Sequence, residues 1–411
     1  MNLPQKCSIL FTDAGLFAGK KPTTQREERI IMTFDELRLS QAEYAKALAD
    51  KLARKMSHSL AAAKGADFIP YTVREGKWVP AGPVGRSSIS WWTNGFWPGE
   101  MWEMYRLTKD EAYKEEAERA EKMLDEALYN IDALHHDVGF MWLISSGVNF
   151  RMTDNDQSRK RALLAANILA GRFNPLGFIR AWNGNRTGWA IIDTMMNLNL
   201  LYWASDFTGD PRFRKIAMIH ADTAMKYFVR EDGSCNHIVI FDPETMAFVN
   251  NPAGQGYASG SSWSRGQSWA LYGFTLSWIH TGKKEYLDTA RRVAKYFVSQ
   301  IQDDWIPRID FCQPADVDLK DSCAGAIAAC GLIELARQVG GEEAEFFFNA
   351  GVNMLKAMDE NASDWSDGYP AILTKCSSAY HNGDHHIAMV YADFFFIEAV
   401  RKLLGDEFLF W

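Results

Sequence analysis

The sequence predicts an all-α protein built as an (α/α)6 barrel, which is a ring of six helical hairpins. Two observations predict it. Apolar residues recur with helical spacing while strand signals are scarce, and a helix–turn–helix phrase returns six times along the chain. A third observation supports the ring: the helices before each turn are almost uncharged, and those after it carry the charge. An apolar inner ring inside a charged outer ring suits such helices.

The recurring phrase is clearest in MYRLTKDEAYKEEAERA at 104–120, ASDFTGDPRFRKIAMIHAD at 204–222 and SWIHTGKKEYLDTARRVAKYF at 277–297. Its TKD and TG turns are typical of a helix C-cap followed by a new helix start. The turns are centred on Thr108, Thr153, Thr208, Thr281, Gly340 and Leu404. Stacked hairpins form an open solenoid or a closed ring. Irregular spacing, with the longest insertion at 230–262, favours a closed enzyme barrel, and we expect residues 34–57 to supply its first helix.

The predicted inner helices are GWAIIDTMMNLNLLYWAS at 188–205 and GQSWALYGFTLSWIH at 266–280, which each precede a turn. The predicted outer helices AYKEEAERAEKML at 112–124 and YLDTARRVAKYF at 286–297 follow one. The first pair is almost free of charge and the second is amphipathic, as the inner and outer positions of a barrel require.

Length, charge and cysteine content restrict the class of protein. We expect one barrel domain over residues 32–411 after a loosely ordered tail over 1–31, whose N-terminus lacks a secretory layout. A net charge of −8 without Lys/Arg runs argues against nucleic acid or an anionic membrane as partner. No apolar run reaches membrane-spanning length. Six cysteines without CxxC spacing favour reduced thiols in a cytoplasmic protein. The oligomeric state stays open.

Asp193 interrupts the apolar helix predicted at 188–205, five residues after Gly188. An aspartate at a helix start often caps the backbone, which is the structural alternative. Against a simple cap, Ile191 and Ile192 already continue the apolar pattern before it. A carboxyl group with such neighbours has a raised pKa, as a general acid requires. We therefore interpret Asp193 as a catalytic candidate.

Asp137 lies in LHHDVGFMW, just before the second inner helix. Taken alone, an aspartate before Val-Gly is weak, since Asp near Gly often only makes a turn. Its position is equivalent to that of Asp193 one hairpin later, so we expect the two carboxylates to meet at one mouth of the barrel. Paired carboxylates in a Trp-rich cavity are typical of glycosidic-bond chemistry.

The segment QGYASGSSWSRGQSW at 255–269 places polar and aromatic side chains directly before an inner helix. Arg265 offers a fork for a carboxylate at a helix N-terminus, which also favours an anion. The alternative is a capped loop in which Arg265 pairs with a surface acid. The aromatic neighbours favour an anionic sugar site, with Gln255, Trp263, Arg265 and Trp269 as its candidate residues.

Three other features are less specific. WWTNGFWPGEMW at 91–102 holds four tryptophans, which suit sugar stacking and core packing equally well. His237 is a solitary histidine and by itself indicates nothing. Asp384, His385 and His386 suggest a metal, but no other His or Cys has ligand spacing, so we predict no metal site.

Together, these motifs resemble the unsaturated glucuronyl hydrolases, glycoside hydrolase family 88. The resemblance is carried by WTNGFWPG, HHDVGFMW, GWAIIDTMMNLNLLYWAS, HADTAMKYFVREDGS and QGYASGSSWSRGQSW, and it is collinear from about residue 60 to the end. That family has an (α/α)6 barrel, in agreement with the repeat. The resemblance implies removal of the non-reducing-end Δ4,5-unsaturated uronic acid from small lyase-generated oligosaccharides, glycosaminoglycan-type disaccharides above all. It also implies that neither a metal nor an organic cofactor takes part.

In the reaction that the resemblance implies, a carboxylic acid protonates C4 of the enol ether, water adds at C5, and the hemiketal opens and sheds the rest of the chain. Asp193 matches the family's acid/base. Asp137 matches a second essential aspartate, which holds a substrate hydroxyl and tunes its partner. The other matched positions, near the reacting centre or lining the sugar subsite, are Trp92, His237, Gln255, Trp263, Arg265 and Trp269.

This chain departs from the family pattern at two places. Some members carry His before the glutamine, where this chain has Gly254, so we expect different support for Gln255 or for the leaving sugar. Members that favour sulfated disaccharides can carry a Ser-x-Ser-x-Lys motif, which the nearest stretch, LTKCSSAYH at 373–381, does not match. The preference for sulfated substrates is therefore open.

Three alternatives compete with this hypothesis. An unsaturated rhamnogalacturonyl hydrolase would use the same barrel and chemistry on pectin fragments. A conventional inverting glycosidase or a sugar epimerase would need a Glu acid or paired His at the mouth positions identified above, where neither occurs. A non-catalytic helical-repeat scaffold predicts a concave surface of mixed charge, whereas these inner helices are apolar with isolated aspartates.

Overall fold

The computed structural model describes residues 32–82, 88–381 and 383–411, so the tail predicted at 1–31 lies outside the described residues. The helices are α1 Phe34–Leu39, α2 Ala42–Ala63, α3 Phe96–Thr108, α4 Glu111–Met123, α5 Asp125–Tyr129, α6 Val138–Trp142, α7 Val148–Thr153, α8 Asp156–Ala170, α9 Thr194–Thr208, α10 Pro211–Tyr227, α11 Ser264–Thr281, α12 Lys284–Ser299, α13 Ser322–Gln338, α14 Gly341–Asn361 and α15 Val390–Leu403. Shorter helical turns are Trp92–Gly95, Ile131–Ala133 and a π-helical turn at Leu143–Gly147. The strands are β1 Pro70–Arg74, β2 Lys77–Pro80, β3 Phe173–Asn174, β4 Phe178–Ile179, β5 Trp189–Ile191, β6 Ile238–Phe241 and β7 Phe248–Asn250.

Six inner segments form a closed ring, which confirms the predicted (α/α)6 barrel. They are α3, the broken helix made of α6 and α7, α9, α11, α13 and α15; each contacts the next, and α15 contacts α3. The outer helices are α2, α4, α8, α10, α12 and α14. Helix α2 covers most of the predicted segment 34–57 and lies beside α15 and α3. The outer helix α2, near the N-terminus, thus forms a hairpin with the inner helix α15, near the C-terminus.

Four of the six hairpin turns share one hydrogen-bond pattern, which explains the recurring phrase. Four inner helices end at a threonine whose hydroxyl donates to the carbonyl four residues earlier: Thr108, Thr153, Thr208 and Thr281. The residue after each threonine is left-handed: Lys109, Asp154, Gly209 and Gly282. The next helix is then capped by a side chain in three of these hairpins, from Asp110, Asn155 and Asp210. A C-cap joined directly to an N-cap turns the chain back within a few residues.

The inner and outer helices differ in burial as predicted. Helix α9 is buried from Thr194 to Ser205 and α11 from Ser264 to Ser277, whereas α12 buries only one face. Within the described ranges, none of the helices combines the length and apolar character needed to cross a bilayer.

A small antiparallel sheet connects the barrel wall to the start of α9. Strand β5 pairs with β6, with Ile191 opposite Ile238, and β6 pairs with β7. The register continues one step further, since the Ile192 N–H donates to the His237 carbonyl over 3.0 Å. This pairing brings His237 next to the residue that precedes α9.

Candidate active site

The first residues of neighbouring inner helices come together at one end of the barrel. Asp137 precedes α6, Asp193 precedes α9, Arg265 is the second residue of α11, and Asp321 precedes α13. Each of these four side chains is buried. Their charges alter one another's pKa values, because buried charges are screened only weakly.

Asp193 occupies the N-cap position of α9, yet its side chain makes no capping hydrogen bond, so the structure does not support the alternative of a backbone cap. Among the described residues, its Oδ1 atom has no hydrogen-bond partner. Burial, and then the nearby Asp137, raise the pKa of Asp193 well above its usual value, and Arg265 offsets only part of the rise. The surroundings of Asp193 therefore favour the protonated form of its carboxyl group, which is the form that a general acid needs.

Asp137 is held in the opposite protonation state. Its Oδ2 lies 3.1 Å from His135 Nδ1 and its Oδ1 lies 3.2 Å from His136 Nε2. The Asn197 amide also donates to Oδ1, over 3.5 Å. Burial by itself raises the pKa of Asp137, but His136, His135 and Asn197 outweigh it and leave that pKa below the usual value. Asp137 is therefore an ionised carboxylate beside Asp193, whose surroundings favour the protonated form.

His237 lies between Asp193 and the loop that follows β7. Its Nε2 is 3.8 Å from Asp193 Oδ1, and its ring packs on Trp263 at a centroid distance of 4.3 Å. Its Nδ1 lies 3.0 Å from the Gln255 nitrogen and 3.2 Å from the Ala253 oxygen, so it can satisfy only one of them. The shorter contact makes Nδ1 an acceptor and leaves the hydrogen on Nε2, facing Asp193. Burial lowers the pKa of His237 to about 3, which keeps the ring neutral.

Gly254 is required by this arrangement, at the position where some family members carry His. Its φ of +61° is left-handed, and a Cβ atom added to it would lie 2.2 Å from His237 Nδ1. Gly260, in the same loop, has a φ of +78° with nothing within 4 Å of such a Cβ. An L side chain at either position strains the backbone, but only at Gly254 does it also displace the histidine.

We expect Gly254→Ala to lower the free energy of unfolding by more than Gly260→Ala. The left-handed backbone accounts for about 1–2 kcal/mol in both variants, and the contact with His237 adds to that cost only in the first. Chemical denaturation of the two variants side by side measures the difference. Equal losses would show that the loop moves away from His237 without penalty.

Arg265 is bound by the protein on several sides. Its guanidinium donates to the Ser377 and Ser378 carbonyls, over 2.8 Å each, and to the Tyr391 hydroxyl. Its Nε lies 3.6 Å from Asp321 Oδ2. The sequence allowed a fork for a substrate carboxylate or a pair with a surface acid. The structure instead pairs Arg265 with a buried acid, so its donors are already used.

The predicted aromatic residues occupy different depths. Trp263 lies above His237 and its ring is 4.7 Å from the Arg265 guanidinium. Trp92 is partly buried, with its ring 5.0 Å from that of Tyr391. Trp269 is fully buried and packs on Phe140, so it belongs to the core beneath the site. Trp263 is buried as well, with 2% of its surface exposed, so Trp92 has the most exposed surface of the three.

Gln255 joins two loops at the mouth. Its side chain donates to the Ser378 carbonyl over 2.6 Å, and its own carbonyl accepts from the Tyr380 N–H over 2.9 Å. Ser378 also accepts from Arg265. Gln255 and Arg265 therefore fix the same segment, which is the segment that departs from the family's Ser-x-Ser-x-Lys pattern.

Within the described ranges, one cluster has metal-ligand spacing: the candidate ligand atoms of His135, His136 and Asp137 lie within 4.8 Å of one another. His136 Nδ1 lies 2.9 Å from the Ala181 carbonyl and must donate to it, since a carbonyl only accepts. Its Nε2 lies 3.2 Å from Asp137 Oδ1 but makes no hydrogen bond within the described residues. Burial lowers the pKa of His136 to about 4, so at neutral pH the ring is uncharged and this nitrogen carries no hydrogen.

The sequence motif Asp384-His385-His386 does not form a cluster of this kind. Asp384 pairs with Arg74. His385 Nε2 lies 2.8 Å from the Ala379 carbonyl, and His386 Nε2 accepts from the Lys320 N–H over 3.2 Å. Each side chain is thus occupied by the local fold.

Sequence reasoning missed four residues of the site: His135, His136, Asn197 and Asp321. A signal was present for Asp321, because it precedes an inner helix just as Asp137 and Asp193 do. The two histidines stand beside Asp137 in the chain and were not assigned a role. For Asn197, the sequence offers no sign that it faces the neighbouring helix.

Comparison with known proteins gives one consistent result. The Glycosyl Hydrolase Family 88 model matches residues 71–335. An unsaturated glucuronyl hydrolase of Bacillus sp. (strain GL1) is 34% identical over 76% of this chain and 86% of that protein. An unsaturated chondroitin disaccharide hydrolase of Streptococcus pyogenes serotype M1 is 31% identical over 78% of this chain and 83% of that one. A crystal structure of an unsaturated glucuronyl hydrolase specific for heparin superposes with a TM-score of 0.78 at 30% identity, covering 87% of this chain and 97% of that one.

Proposed function

The chain belongs to glycoside hydrolase family 88, and we propose that it removes a Δ4,5-unsaturated uronic acid from the non-reducing end of small oligosaccharides. The relatives are named as unsaturated glucuronyl or chondroitin disaccharide hydrolases, and one of the similar solved structures is of an enzyme described as specific for heparin. Glycosaminoglycan-type disaccharides are therefore the substrates we propose first.

The proposed reaction is hydration of the C4=C5 enol ether. The Asp193 carboxyl group donates its proton to C4, and the hydroxyl of a water molecule bonds to C5. The second proton of that water returns to the Asp193 carboxylate, so the acid is restored. The C5 hemiketal then opens and releases the remaining sugar. Asp137 stays ionised throughout and holds a sugar hydroxyl, while the His237 Nε2–H supports the Asp193 oxygen as it becomes charged.

One observation carries this proposal: two buried carboxyl groups lie close together with pKa values shifted in opposite directions. The pKa of Asp193 is raised and that of Asp137 is lowered. Two titratable groups whose environments separate their pKa values define an acid and a base. Protonation of a carbon atom is demanding, and a carboxyl group with a raised pKa can supply the proton.

The test is a substrate panel followed by ultraviolet absorbance of the enol ether. Unsaturated disaccharides from chondroitin, hyaluronan, heparin and rhamnogalacturonan are incubated with the protein, and loss of absorbance reports turnover. Turnover of the first three substrates supports the proposal. Turnover of the rhamnogalacturonan product alone would identify the pectin-fragment activity instead, and no loss with any of them would refute both.

We expect a bell-shaped dependence of kcat/KM on pH. Activity requires Asp193 to be protonated, so it is lost as pH rises through the raised pKa of Asp193. It also requires Asp137 to be ionised, so it is lost as pH falls through the lowered pKa of Asp137. Because kcat/KM reports the free enzyme, its two limbs measure these groups directly. If kcat/KM instead fell steadily as pH rose from low values, as it would for an aspartic acid of ordinary pKa, the assignment of Asp193 would be contradicted.

We also propose that the protein is cytoplasmic, because its buried cysteines are free thiols. Cys235, Cys323, Cys330 and Cys376 are buried as thiols, and burial raises the pKa of Cys235 to about 12. Buried thiols of this kind are typical of a reducing compartment. Cell fractionation with a secreted control protein tests the location, and recovery from the medium would contradict it.

A further inference from the structure

We propose that Asn197 is a positioning residue that joins the two aspartates and sets their relative placement. The proposal rests on the function proposed above, because it concerns how that acid and base are held. Asn197 lies in the first turn of α9, one helical turn after Asp193.

The Asn197 amide makes contacts in both directions across the helix boundary. Its Nδ2 lies 3.1 Å from the Asp193 carbonyl oxygen and 3.5 Å from Asp137 Oδ1. Its Oδ1 accepts from the Phe140 N–H over 2.8 Å. The start of α6, which carries Asp137, is thus bound to the start of α9, which carries Asp193, through one side chain.

The two helices approach so closely at this point that only glycine fits opposite Asn197. A Cβ atom added to Gly139 would lie 2.7 Å from Asn197 Oδ1 and 2.8 Å from Asn197 Cα. Backbone contact of this kind leaves little room for the two helices to slide. Asn197 fixes the separation of the aspartates, and Gly139 permits it.

Asp137 is the titrating group on which Asn197 acts directly. The other charged or titratable groups that face Asp137 are His135 and His136 from its own segment, Asp193 from α9, and Arg172 from the segment after α8. Asn197 adds a donor to Asp137 Oδ1 from α9. Loss of that donor removes one of the contacts that keep Asp137 ionised.

Asn199 provides a matched comparison on the same helix. It is also fully buried, but its Nδ2 donates to the Met196 carbonyl of its own helix over 2.7 Å. Within the described part of the chain it makes no hydrogen bond with either aspartate, and its Oδ1 has no partner there. A merely structural role for a buried asparagine would therefore affect Asn197 and Asn199 alike.

The experiment compares Asn197→Leu with Asn199→Leu, with Asn197→Ala and Asn199→Ala as smaller variants that avoid any steric clash. For each, kcat, KM and the pH dependence of kcat/KM are measured on the best unsaturated disaccharide, together with the unfolding temperature. In both Asn197 variants we expect kcat to fall on the order of a hundredfold, because small displacements of reacting groups cause losses of that size. We also expect the acidic limb to move up by as much as about one pH unit, because Asp137 loses a donor. In the Asn199 variants, both limbs of the pH profile of kcat/KM should stay at their wild-type positions.

Either of two results overturns the inference. The Asn197 variants could keep the wild-type pH limbs and kcat, or the Asn199 variants could shift the acidic limb equally. If Asn197→Leu does not fold, Asn197→Ala decides by the same criteria. Failure of the proposed function is distinguishable, since in that case the wild-type protein turns over none of the disaccharides.

Discussion

We expect Asp193→Asn to reduce turnover of the unsaturated disaccharide by about 10²–10⁴-fold, the range that a general acid contributes. The amide has the size of the protonated carboxyl group that it replaces but cannot release a proton to C4. Asp193 makes no capping bond, and its burial raises its pKa and so favours the uncharged form that the amide resembles. We therefore expect the unfolding temperature to stay the same or to rise.

A matched control is Asp206→Asn, near the other end of the same helix. Asp206 is exposed and pairs with Arg214 on the surface, so its loss should leave turnover unchanged and alter stability by less than about 0.5 kcal/mol. Initial rates at saturating substrate, with circular dichroism for the fold, measure both variants. An Asp193→Asn protein with near-normal turnover would exclude Asp193 as the proton donor.

The barrel and the two aspartates were predictable because both follow from local chain chemistry. The threonine at the end of an inner helix, the left-handed residue after it and the next N-cap are encoded within a few positions, as at Thr208, Gly209 and Asp210. Asp137 was found because it repeats the position of Asp193 one hairpin earlier. Repetition of a local pattern is visible in a sequence without any knowledge of distances.

Contacts between helices were not predictable in this way. From the sequence, Arg265 suggested a fork for a substrate carboxylate. Its partner in the structure, Asp321, precedes a different helix, and no local sequence pattern indicates that the two side chains pair. Asn197 looked like a polar residue in an apolar helix, since the close approach at Gly139 is set by how two helices pack. The depth of Trp269 also depends on packing, and a tryptophan in a cavity wall has the same sequence signature as one in the core.

The second large effect concerns stability. We expect Arg265→Met to lower the free energy of unfolding by about 3–5 kcal/mol, the cost of removing one partner from a buried ion pair. Asp321 keeps hydrogen bonds from the Ser377 and Cys323 N–H groups to Oδ1, but among the described residues its Oδ2 has only the contact with Arg265. Urea denaturation measures the loss. Arg212→Met is the matched control, since Arg212 is also the second residue of its helix and pairs with an aspartate, but at the surface.

The pH dependence of that loss identifies its cause. Burial already raises the pKa of Asp321 despite Arg265, and without Arg265 it rises further. A carboxyl group whose pKa is higher in the folded state binds more protons there, so stability falls as pH rises from the unfolded value, about 4, through the folded one. The Arg265→Met deficit should therefore be smaller near pH 5 than near pH 8. A deficit independent of pH would mean that lost packing, rather than the unpaired acid, causes it.

A double-variant cycle separates this structural role from substrate binding. If Arg265 and Asp321 act mainly on each other, the Arg265→Met/Asp321→Asn protein should be more stable than the sum of the single losses predicts, by about 0.5–3 kcal/mol. If Arg265 instead holds the substrate carboxylate, Arg265→Met should raise KM while leaving stability close to that of the Arg212→Met control. Because the donors of Arg265 already bind Ser377, Ser378 and Tyr391, we expect the first outcome.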